Sequence, residues 1–107
     1  MTRVRLYHDR RGRLSGFSLI GHAGAAPAGE DIVCAGLSAI AITAVNALGS
    51  VARITVHPHT GEGYLSVRLP GRLTGRQRRT ARIILQVARQ GFYDITHAYP
   101  RYARVSE

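Results

Sequence analysis

The chain carries a single cysteine, Cys34, and twelve residues before it stands His22, one of five histidines. A thiol and an imidazole brought together are the makings of nucleophilic catalysis, in which the imidazole takes the thiol proton and the thiolate attacks a carbonyl carbon. The stretch that holds them, GHAGAAPAGEDIVCAG, is built of small residues, and Gly21 and Gly24 beside the histidine let a peptide backbone approach closely. Asp31 precedes the cysteine by about one helical turn and Ser38 follows it by one, so both belong to its side of a helix, with Asp31 also placed to orient His22. Free cysteine is equally at home as a small buried hydrophobe, and a histidine at a strand end as a structural one. Spacing alone leaves both readings open.

The elements that must position these groups are legible in outline. Val4, Leu6 and His8 alternate with Arg3, Arg5 and Tyr7, and a second extended run, 14–20, follows the turn Asp9-Arg10-Arg11-Gly12, which predicts a β-hairpin. Residues 23–29 have no hydrophobic period and read as a loop. The run 32–48 is apolar on nearly every face, with Asp31 as an N-cap and Gly49 as the residue just past its end. On that reading Cys34 is the third residue of a helix. There the free first-turn amides and the macrodipole favour a thiolate, and the same amides suit the oxyanion of acyl transfer.

Alternation in 51–57 and again in 64–69, joined by residues 58–63, predicts a second hairpin. Thr74 and Gln77 have capping-box spacing before a helix over 78–90, with Ala81, Ile84, Leu85 and Ala88 on one face and Gly91 closing it. The tail 92–105 has room for one more short strand. The order ββαββα(β) implies an α+β fold, a mainly antiparallel sheet of two β-hairpins with two packed helices, and residues 1–107 form one domain.

The apolar run 32–48 contains Ser38, Thr43 and Asn46 and has Glu30 and Asp31 against its start. A bilayer span takes about 20 apolar residues, so a covered core helix is expected and no membrane contact. One cysteine makes no intrachain disulfide, and no secretory leader pattern opens the chain, which together point to the cytoplasm. The formal net charge of +9 comes from fifteen arginines and no lysine, against six acidic residues. An arginine-rich surface attracts phosphate, so contact with RNA or the ribosome is one expectation from charge. The arginines 72, 76, 78, 79 and 82 also suit a plain solvated helix face. His57 and His59 lack a third ligand near in sequence, so neither metal nor cofactor is expected.

Beyond spacing, the Gly-His motif at Gly21-His22, the stretch Asp31-Ile32-Val33-Cys34-Ala35, Ser38 and the region of Asn46 resemble the Prp family of ribosomal-processing cysteine proteases. The order of elements resembles it over nearly the whole chain. The resemblance implies a Cys34-His22 dyad, supporting roles for Asp31 and Ser38, and a substrate-binding loop containing Gly21, Ala23, Gly24 and Gly29 that orders over the peptide. It also implies a homodimer that removes a short N-terminal extension from large-subunit ribosomal protein twenty-seven. Two rivals stand beside it: a non-catalytic ribosome- or RNA-associated basic module in which the Cys-His pair is idle, and another thiol hydrolase or acyltransferase that uses the same pair on a smaller substrate.

Overall fold

The computed structural model describes residues 1–21 and 28–107, the side chains of 28–30 excepted. Five strands and two helices follow one another as β1 (Thr2–His8), β2 (Leu14–Ile20), α1 (Ala28–Ser50), β3 (His59–Gly61), β4 (Tyr64–Arg68), α2 (Gly75–Ala98) and β5 (Ala103–Ser106). They form one five-stranded sheet in the order β3-β4-β2-β1-β5. The two hairpins and the β2-β4 seam are antiparallel, whereas β5 lies parallel to β1, so the sheet is mixed. A parallel neighbour needs a long crossover, and α2 supplies it.

Strand alternation sends Val4, Leu6, Phe17, Leu19 and Val67 to the covered face. Against them α1 lays the stripe Val33, Leu37, Ala41, Ala44 and Leu48, and α2 lays Ala81, Leu85, Ala88, Phe92 and Thr96, each set spaced three or four residues apart as one helical face requires. The rings of Phe17 and Phe92 meet edge to face with centroids 5.3 Å apart. On the other face, Ser18 and Ser66 sit opposite each other in the ladder, with the Tyr7 hydroxyl donating to Ser18 at 3.1 Å and the Arg68 guanidinium 3.9 Å above the Tyr7 ring. The stretch Asp31–Ser50 is long and apolar enough to cross a bilayer. Its inner stripe is committed to this core.

Both helices overrun their expected ends. The first already includes Ala28, three residues before Asp31. Asp31 is therefore inside the helix and not its cap, and Ala28 and Gly29 belong to the helix and not to the loop. Gly49 is likewise internal, since the helix runs to Ser50 and unwinds only afterwards: the Ala52 amide donates to Ala47 at 3.1 Å and the Ile54 amide to Leu48 at 2.9 Å. That unwinding places Arg53 in the left-handed region, with φ at 59°.

Residues 51–57 do not form a strand. Their alternation is real, burying Ala52 and Ile54, but it serves side-chain packing without a ladder, and the short strand begins at His59. The capping box of α2 is as expected, with Gln77 N–H donating to Thr74 Oγ1 at 3.1 Å and Thr74 N–H to Gln77 Oε1 at 2.9 Å. Gly91 does not end α2. A β-carbon there would lie 2.8 Å from Ile40 Cδ1, so the glycine lets the two helices approach, and the helix continues to Ala98. The expected last strand is β5.

Candidate active site

Cys34 is half-buried on the face of α1 that meets the ends of β2 and the β3-β4 hairpin. It opens into a cleft of about 270 Å³. One wall is α1 itself, where Cys34, Ser38 and Ile42 line up at intervals of four residues. The opposite wall is the hairpin, with Thr60, Gly61, Gly63, Tyr64 and Leu65. Leu19 and Gly21 form the floor between them. Cross-strand pairing of Leu19 with Leu65 makes that floor apolar, while Tyr64 and Ile42 are exposed at the rim.

Gly21 joins the walls. Its amide donates to the Gly63 carbonyl at 2.8 Å, tying the end of β2 to the hairpin turn, and Gly63 makes that turn with φ at 69°. A β-carbon built on Gly21 would stand 2.9 Å from Cys34 Sγ and 3.4 Å from Thr2 Oγ1. Any larger residue at this position would press into the sulfur.

Of the residues expected to carry chemistry, Cys34, Ser38 and Gly21 share this cleft. Asp31 is exposed in the first turn of α1, one turn ahead of Cys34. Gly29 lies in the same turn. His22, Ala23 and Gly24 fall outside the described residues.

The early start of α1 changes the electrostatics expected for the thiol. Cys34 has six helical residues before it, from Ala28 to Val33, where two were expected, so its own amide belongs to the intrahelical ladder and the free amides of the helix start lie at least one turn before it. The macrodipole acts within the first turn. Its help to a thiolate at position 34 is correspondingly weaker.

Sequence reasoning missed the second wall of the cleft and the buried Thr2 packed beside Gly21. The β3-β4 hairpin arrives through the pairing of β4 with β2, a long-range register with no local mark. Among the described residues no three of His, Cys, Asp and Glu converge on a metal position.

Comparison with known proteins identifies the family. The family described as cysteine protease Prp matches residues 1–104. The Bacillus subtilis ribosomal processing cysteine protease Prp is 36% identical over 85 residues, which is 78% of this chain and 74% of that protein. A Streptococcus mutans crystal structure superimposes with a TM-score of 0.84 at 26% identity, covering 99% of this chain and 92% of the other. The essential ribosomal processing protease Prp of S. aureus, solved with a covalently linked product peptide, gives a TM-score of 0.80 at 25% identity, covering 99% and 98%. With a cysteine set in a walled cleft and a family match over almost its full length, the chain belongs to the Prp cysteine proteases.

Proposed function

We propose that the chain removes the N-terminal extension of large-subunit ribosomal protein twenty-seven, with Cys34 as nucleophile and His22 as its base. The observation that carries this reading is Cys34 Sγ at the base of a cleft whose floor is a glycine packed against the sulfur. A peptide laid between α1 and the β3-β4 hairpin presents its carbonyl carbon there. His22 takes the thiol proton, the thiolate adds to the carbonyl, and the tetrahedral adduct collapses as the imidazolium returns the proton to the leaving amine. Water then adds to the thioester, His22 again accepting a proton, and the acid product leaves with the thiol restored. The apolar floor and the rim residues Tyr64 and Ile42 suit aromatic or aliphatic side chains beside the cleaved bond. Ser38 and Asp31 act in support, from the same face of α1. The reaction belongs in the cytoplasm, where a lone thiol stays reduced.

The protein works as a homodimer on this reading. A groove of about 490 Å³ between α1 and α2, on the side away from the sheet, is lined by Ile40, Ile83, Ile84 and Val87. Ile83 and Val87 are 61% and 67% exposed. Paired helices from a second copy would cover them.

A synthetic peptide spanning the extension of the cognate ribosomal protein, incubated with the wild type and with Cys34→Ala, tests the assignment. Cleavage by the wild type and none by the variant is expected. Equal absence of cleavage in both would leave the basic, RNA-associated reading in its place.

A further inference from the structure

Thr2, the first residue of β1, is fully buried, and its hydroxyl has no hydrogen-bond partner among the described residues. An oxygen left in that state is costly and is rare in a folded core. Its backbone is well held, the amide donating to Tyr102 at 2.8 Å and the residue lying opposite Ala103 of β5 in the parallel ladder. The side chain is therefore fixed in place for a reason other than its own satisfaction. Where it points is informative: Thr2 Oγ1 and Cys34 Sγ both crowd the same side of Gly21, at 3.4 Å and 2.9 Å from the position a β-carbon would take.

We infer that Thr2 is a positioning residue whose hydroxyl donates a hydrogen bond to the Cys34 thiolate. The hydroxyl makes no hydrogen bond to the neutral thiol, a weak acceptor, although both atoms face the same side of Gly21. Once the proton leaves, the sulfur becomes a charged acceptor, and charge-assisted hydrogen bonds are about twice as strong as neutral ones. Among the described residues nothing else meets the demand of the buried hydroxyl, so its bond to the ionised sulfur favours ionisation. It also supplies what the early start of α1 withholds, because the sulfur is beyond the first turn of the helix.

Few other groups compete for control of this sulfur. Among the described residues, the cleft walls bring one titratable side chain to it, Tyr64 from β4. Asp31 stands one turn earlier on its own helix, and β1 contributes Thr2 alone, since Arg3 and Arg5 are exposed. His22 is the base assigned above. The inference rests on that assignment of Cys34 as nucleophile.

The test is the pH dependence of iodoacetamide labelling of Cys34 in the full chain, with peptide cleavage and thermal melting measured alongside. Thr2→Val keeps the β-branched shape and removes the hydroxyl. It is expected to raise the labelling pKa of Cys34 by about one unit, a tenfold loss of thiolate at a pH below both values. Cleavage near neutral pH falls in step and recovers as the pH is raised. Thr2→Ser keeps the wild-type pKa, and Thr2→Ala repeats the shift of the valine variant. A purely structural Thr2 would move melting and leave the labelling pKa in place. Unchanged pKa in Thr2→Val, or in Thr2→Ala should the valine variant not fold, overturns the inference. If the wild type cleaves peptide in that case, the nucleophile assignment stands without it.

Discussion

At the scale of single residues, the site depends on a hydrogen atom where every other amino acid has carbon. Gly21 abuts Cys34 Sγ and Thr2 at once, and it is tied to the hairpin turn through its amide. In Gly21→Ala the new methyl meets the sulfur well inside van der Waals contact, so either the thiol rotates or the floor of the cleft shifts. Overpacking of this kind costs about 1–3 kcal/mol. We expect peptide cleavage to fall at least tenfold with a melting loss of that size; full activity in the alanine variant would show that the floor does not bear on the nucleophile. Cys34, Ser38 and Gly21 could be chosen from sequence because they lie within one short run. Thr2 could not, since nothing in MTRVRLYHDR distinguishes a core-facing threonine from an ordinary strand residue.

The elements reveal why local signals succeed and fail. Thr74 and Gln77 mark the start of α2 because a capping box is a contract between residues three apart, and the structure contains both of its bonds. Gly49 and Gly91 suggested stops that do not occur. The first misses the end of α1 by one residue, and the second is carried through because Gly91 lets α2 approach Ile40 of α1. The alternation in 51–57 was correct about which side chains are buried and wrong about a ladder, because hydrogen-bond partners are set by neighbours that sequence does not name.

The turn that follows α1 closes on Arg53, whose left-handed φ costs a non-glycine residue about 1–2 kcal/mol. Its carbonyl accepts from Gln77 Nε2 at 2.8 Å, so the close of one helix is clasped to the cap of the other. Arg53→Gly removes the strain while loosening the unfolded chain, for a net gain of about 0.5 kcal/mol and a melting point a few degrees higher. A lower melting point would mean that the arginine side chain does more than the backbone geometry indicates.

For the molecule as a whole, two surfaces make predictions. On the side where β1 and α2 meet the end of β5, Glu107 takes hydrogen bonds from Arg89 Nη2 at 2.7 Å and from the Tyr93 hydroxyl at 2.6 Å, with His8 Nε2 at 2.8 Å. The Arg89 bonds first, then that from Tyr93, hold its carboxyl down at about 2, against an ordinary 4.5. A depressed carboxyl stabilises the fold above its unfolded value and loses that contribution as pH falls from about 4.5 toward 2. Melting curves between pH 6 and 3 should therefore drop more steeply for the wild type than for Glu107→Gln, and parallel curves would count against the network. The second surface is the groove between the helices. Val87→Asp places a charge in an exposed apolar face, and if the chain dimerises as proposed above, sedimentation should show that dimer giving way to a folded monomer with the same helix content. An unaltered oligomer would put the contact elsewhere.

The parallel pairing of β1 with β5 carries a further implication for when this enzyme acquires its activity. These strands are the farthest apart along the chain, and Thr2 is held by Tyr102 and lies opposite Ala103. During synthesis, which proceeds from the N-terminus, the clamp on Thr2 waits for β5 to emerge. A half-made chain already contains Cys34 but has no clamp on Thr2, so if Thr2 backs the nucleophile as inferred above, the cleft is completed only once β5 has paired with β1.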